Sequence, residues 1–167
     1  MTIAEFHHLD AEQKKELLIQ CCGSSAWVDK MIAAPPAEDL VNLEETAEEK
    51  WYECSEDDWL EAFTHHPKIG DITSLKKKFA NTAAWAANEQ SGVNTASNKT
   101  LEELAAKNED YEKKFGYTFI VCATGKSAEE MLAILQKRLP NKPGDEIKIA
   151  AEEQLNITKL RLEKLFA

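Results

Sequence analysis

Thr118-Phe119-Ile120-Val121-Cys122-Ala123 is the stretch on which the fold class turns. Its β-branched, aromatic and apolar residues have the composition of a buried strand. A lone strand, however, cannot satisfy its own N–H and C=O groups, and even an isolated pair is marginal in water. No other stretch of the chain offers it a partner. Residues 118–123 are therefore expected to be a buried extended or helix-start segment in an all-α protein.

Outward from this segment the apolar residues recur at spacings of three and four. Downstream, Ser127 and Glu130 stand at capping-box spacing before a helix carrying Met131, Leu132 and Leu135. Pro140 and Pro143 break it, and Asp145 opens a last helix with Ile147, Ala151, Leu155, Thr158, Leu162 and Leu165 on one face. Upstream, Leu101, Leu104, Ala105, Asn108, Tyr111 and Phe115 form a long stripe closed by Gly116. The polar run Asn94-Thr95-Ala96-Ser97-Asn98 reads as a loop after Gly92, and residues 71–80 and 82–90 as two helices, the second rich in alanine.

Nearer the start, Leu9, Gln13, Leu17, Leu18 and Cys21 make an amphipathic segment ended by Gly23. Ser24 or Ser25 caps a helix through Trp27 and Met31, stopped by Pro35-Pro36. Leu40, Leu43, Ala47 and Trp51 give a further stripe. Ser55 then opens a helix with Trp59, Leu60 and Phe63 that must end near His66, because Pro67 disfavours helical geometry before it. No internal repeat, low-complexity tract or linker interrupts the pattern. The expectation is one domain over residues 1–167, a helical bundle of about seven to nine helices without significant sheet.

Composition narrows the function classes. The 167 residues are 43% hydrophobic and 30% charged, ordinary for a soluble globular domain with a real core. The net charge is −10 and no basic stripe exists to neutralise phosphates, which argues against nucleic acid. Cys21, Cys22, Cys54 and Cys122 form no Cys-x-x-Cys pair and no secretory signal precedes them, so reduced thiols in the cytoplasm are expected. The last residues, Leu165-Phe166-Ala167, are not a peroxisomal address. No apolar run approaches the ~18 residues that would span a membrane.

Chemistry is best sought at Phe63-Thr64-His65-His66-Pro67-Lys68-Ile69-Gly70-Asp71, which holds two of the four histidines. An imidazole titrates near neutrality, and Pro67 and Gly70 would restrain the backbone that aims it. The residues alone leave two readings open: a frayed helix end, or a His66 held for proton transfer. Adjacent histidines diverge and no His-x-x-x-His pair exists, which disfavours zinc. Glu89-Gln90 closes an otherwise uncharged alanine-rich helix; it is either an exposed terminus or a carboxylate–amide pair able to read a planar ureido edge. Arg161 falls at the margin of the last helix's buried face, either in a surface salt bridge or reaching into a pocket. Cys122, in its apolar setting, reads as a core thiol.

Taken together, four ordered pieces resemble one family. They are His66-Pro67-Lys68-Ile69-Gly70-Asp71, Trp85-Ala86-Ala87-Asn88-Glu89-Gln90-Ser91-Gly92, the run Asn108, Tyr111, Lys114, Phe115, Gly116 leading into Phe119-Ile120-Val121-Cys122-Ala123, and Leu160-Arg161-Leu162. The family is 2-oxo-4-hydroxy-4-carboxy-5-ureidoimidazoline (OHCU) decarboxylase, the final enzyme of urate-to-allantoin conversion, and the resemblance covers about residue 5 to 165. It implies an all-helical homodimer without metal or organic cofactor. It implies His66 as catalytic acid/base with Glu89 and Arg161 as essential companions. Pro67, Ala86, Gln90, Phe119, Ile120, Val121, Cys122 and Ala123 would contact substrate. Many relatives carry Ser where this chain has Ala86, so one hydroxyl contact would be missing here. Two rival readings remain: a His/Glu hydrolase opening a related ureide ring, and a non-catalytic helical interaction module whose His66, Glu89 and Arg161 would be exposed and scattered.

Overall fold

The structure, a computed structural model, describes residues 1–66 and 93–167. Among these residues there are eight helices and no strand: α1 (Ile3–His8), α2 (Ala11–Cys21), α3 (Ser25–Ala33), α4 (Leu40–Tyr52), α5 (Glu56–Thr64), α6 (Val93–Phe115), α7 (Ala128–Arg138) and α8 (Pro143–Leu165). None is long and apolar enough to cross a membrane. The helices expected over 71–80 and 82–90 lie outside the described residues.

The chain divides into two compact units, Met1–His66 with Ile149–Ala167, and a second whose described part is residues 93–148. In the first, α3 packs on α2, α4 and α5. Ser24 and Ser55 cap their helices as read, and Asp10 and Asp39, which were not singled out, do the same: each accepts a hydrogen bond from an orphan N–H of the first turn. Three tryptophans order the core, each giving its indole N–H to a main-chain carbonyl: Trp27 to Ala47 at 3.0 Å, Trp51 to Ala151 at 2.8 Å and Trp59 to Trp51 at 3.0 Å. Trp27 and Trp51 are thereby buried, and Trp59 half-buried, without an unsatisfied donor. Helix α1 was not expected, although Thr2 and Glu5 form a full capping box that the sequence displays.

In the second unit α6 and α7 pack together around Leu101, Leu104, Tyr111, Met131 and Leu135. The run Asn94–Asn98, expected as a loop, instead lies within α6, which begins at Val93. The propensity cost of Asn, Thr and Ser is at most ~0.7 kcal/mol per residue, too little to outweigh extension of a helix anchored by its buried stripe. Gly116 ends α6 at φ +84°, a left-handed turn that favours glycine, with its N–H on the Glu112 carbonyl at 2.8 Å.

Residues 118–122 are buried, Ala123 is partly so, the run is non-helical, and side chains take the place of a strand partner. Asn108 Oδ1 accepts the Phe119 N–H at 3.3 Å, Arg138 Nη1 donates to the Ile120 carbonyl at 2.7 Å, and Lys126 Nζ donates to the Cys122 carbonyl at 2.6 Å. The Arg138 guanidinium also lies over the Phe119 ring, 4.6 Å from its centroid. Beneath it, the buried Glu146 carboxylate takes Arg138 at 2.6 Å, the Tyr111 hydroxyl at 2.6 Å and the Asn141 amide at 3.0 Å. A buried ion pair with this many hydrogen bonds fixes one backbone path for the segment.

Candidate active site

His66 is placed by the way α5 ends. Phe63 is buried one turn earlier and anchors the helix, after which the last N–H groups tighten: His65 donates to Ala62 at 3.1 Å and His66 to Phe63 at 3.3 Å. The chain thus leaves α5 with the His66 ring half-buried and that of His65 exposed. His65 packs on Gly23, so the two neighbouring imidazoles diverge.

Arg161 arrives from α8. Its Nη1 lies 3.3 Å from both the Gln20 and Cys21 carbonyls, at the C-terminal end of α2. The last carbonyls of a helix lack intrahelical donors and carry partial negative charge, so a guanidinium is well matched to them. Ile19, Gln20, Gly23, Ala62, His65, His66 and Arg161 line one cleft of about 360 Å³ in the first unit. An imidazole able to move a proton and a permanent cation able to hold an oxyanion therefore face one space. His66 and Arg161 share this cleft; Glu89, the third residue on which the non-catalytic reading turns, lies outside the described residues.

Behind the cleft, His66 Nε2 hydrogen-bonds Gln154 Oε1. Gln154 is fully buried, and its amide nitrogen donates to Thr158 Oγ1 at 3.2 Å. Gln154, Thr158 and Arg161 stand at i, i+4 and i+7 on α8, one helical face. Sequence reading passed over Gln154, though a polar residue beside Ala151, Leu155 and Thr158 on a buried stripe was a visible signal. Thiols surround the same region. Burial pushes Cys21 up to about 11 and Cys22 up to about 12, against a weaker opposing pull from Arg161. They are inert core groups rather than nucleophiles.

Of the other expected site residues, Pro67, Ala86, Glu89 and Gln90 lie outside the described residues. Phe119, Ile120, Val121, Cys122 and Ala123 belong to the second unit. There the Phe119 N–H is taken by Asn108, and none of the hydrogen bonds among the described residues uses the N–H of Ile120, Val121, Cys122 or Ala123.

An all-helical protein with an imidazole and a guanidinium on one cleft has the make-up of an acid–base enzyme for a small anionic substrate. Comparison with known proteins gives the family. The chain belongs to the OHCU decarboxylase family, whose profile matches residues 7–163. It is 41% identical over 152 residues to an Arabidopsis thaliana protein named uric acid degradation bifunctional protein TTL, an alignment covering 88% of this chain and 45% of that one. The chain therefore spans less than half of that relative's length. It is 21% identical over its full length to an OHCU decarboxylase of Haloferax volcanii, covering 97% of that protein. A crystal structure of OHCU decarboxylase in the presence of (S)-allantoin superposes with a TM-score of 0.71 at 37% identity, covering 95% of this chain and 99% of that one.

Proposed function

We propose that the chain decarboxylates 2-oxo-4-hydroxy-4-carboxy-5-ureidoimidazoline to (S)-allantoin and CO2, the last step of urate-to-allantoin conversion. The observation that carries the reading is the shared cleft of His66 and Arg161 in a chain that matches this family almost end to end. Because the match runs through both compact units, we take residues 1–167 as one functional domain.

The bond from the carboxylate to ring carbon breaks, CO2 leaves, and its electron pair passes into the ring. The substrate's own carbonyl and adjacent nitrogens delocalise that pair, so the reaction requires neither metal nor organic cofactor as electron sink. The protein must hold the carboxylate out of the ring plane, stabilise the enolate and deliver a proton to one face. Arg161 binds a substrate oxygen and His66 supplies the proton that sets the configuration of allantoin. Glu89 and Gln90 hold the ureido and ring N–H edge, with Pro67 and Ala86 contributing shape and the N–H groups of residues 120–123 taking a carbonyl oxygen. We further infer a cytoplasmic homodimer, as the family resemblance implies; sedimentation at micromolar concentration checks the second point. Trapped CO2 tests the reaction itself. CO2 released faster with the protein than without it, one per substrate consumed, supports decarboxylation, whereas protein-dependent ring opening without CO2 would establish the hydrolase reading.

A further inference from the structure

We infer that Gln154 is a positioning residue that holds the His66 imidazole as its Nε2–H tautomer. The inference rests on the assignment of His66 to the proton step and adds to it a positioning residue and a tautomer.

The hydrogen bonds close in only one direction. Thr158 Oγ1 donates to the main-chain carbonyl of Gln154 at 2.9 Å, one turn back on α8. With its hydrogen committed there, the hydroxyl can only accept from the Gln154 side chain, which must present its NH2 group at 3.2 Å. The amide oxygen then faces His66, and Nε2 must carry a hydrogen to meet it. Gln154 and Thr158 are both buried, so neither group can turn to water and reverse the order. An amide suits this position because it accepts from both neutral imidazole and imidazolium. It therefore keeps the ring oriented through a protonation cycle without taking the proton.

Long-range ¹⁵N–¹H correlation spectra of the histidine-labelled protein test this directly, with His66→Asn identifying the His66 signals. The wild type is expected to show His66 with Nε2 protonated and Nδ1 bare in its neutral form; the reverse tautomer would overturn the inference with no variant needed. In Gln154→Leu the signature should shift to a tautomer mixture, and kcat should fall about 10- to 100-fold, part of the ~10²–10⁴ that a positioned acid/base supplies, with KM changing little. Gln154→Glu, which keeps an oxygen opposite Nε2, should keep Nε2 protonated. An unchanged tautomer and kcat in a folded Gln154→Leu would sink the inference while leaving the proposed reaction intact. Full activity in His66→Asn would instead remove the proposed role of His66, and the two failures are thereby distinguishable.

Discussion

The His65 imidazole occupies the space that a side chain on Gly23 would need, its Cδ2 only 2.6 Å from where a β-carbon would stand. The loop after α2 and the end of α5 thus meet ring to backbone at the wall of the cleft, one residue before His66. Gly23→Ala must push that ring away, and overpacking of this kind costs ~1–3 kcal/mol. Urea unfolding should show such a loss, together with reduced activity. Adding His65→Ala removes the ring but leaves a β-carbon 2.7 Å from the same point, so it should recover only part of the stability, and the double-mutant cycle should show a coupling between the two positions. Additive effects would mean that the two positions do not compete for space.

Arg138 and Glu146 are a buried ion pair that also fixes the Ile120 carbonyl. Removing one partner leaves the other charge uncompensated, and Glu146→Leu should destabilise by ~3–5 kcal/mol. A loss below ~1 kcal/mol, the range of exposed pairs, would contradict the burial. Replacing both partners with apolar residues should cost less than the single change.

Arg161→Lys separates charge from geometry. Lysine retains the cation but lacks the planar guanidinium whose Nη1 reaches both the Gln20 and Cys21 carbonyls. Loss of a charge-assisted hydrogen bond to substrate is worth ~1.5–3 kcal/mol, so kcat/KM should drop about 10- to 100-fold. Stability should change by less than ~1 kcal/mol, the scale of a helix-terminus charge effect. Retained kcat/KM with reduced stability would make Arg161 a helix cap and nothing more.

The buried thiols set an alkaline limit. From an ordinary value of 9.0, burial pushes Cys21 to about 11, Cys22 to about 12 and Cys54 to about 11. The native state therefore binds protons more tightly than the unfolded chain. The stability tied to these thiols is intact below pH ~9 and is lost as pH rises towards 11–12. Burial and the bond to Glu146 shift the Tyr111 hydroxyl upwards as well, adding to the same trend. Urea midpoints at pH 8 and pH 10 should show the decline, with a shallower slope in Cys22→Ala; equal slopes would mean that Cys22 has no part in it.

The helices were legible where a side-chain cap precedes a regular apolar stripe, as at Ser24 with Trp27 and Met31. Residues 118–123 were legible as buried but not in their means of support, because Arg138 and Glu146 lie in separate helices and carry no signal of meeting. Asn94–Asn98 misled because local polarity was weighed over the helix that follows. At the site, the motif marked His66 and Arg161, but only folding brings α5 beside the ends of α2 and α8. Gln154 was overlooked because pattern reading discounts a polar residue inside an apolar stripe, although such a residue must find a partner when buried.

His66 is assigned two linked effects: loss of CO2 from the ureidoimidazoline and the hand of the product. One experiment reads both, generating the unstable substrate in situ from urate with the upstream enzymes. Its ultraviolet absorbance is then followed together with the circular dichroism of allantoin. Wild-type protein should accelerate the decay and give the (S) signal, and His66→Asn should return both to the uncatalysed course with racemic product. Decay that is no faster with the wild-type protein would refute the decarboxylase assignment, and an undiminished (S) signal from folded His66→Asn would refute the role of His66.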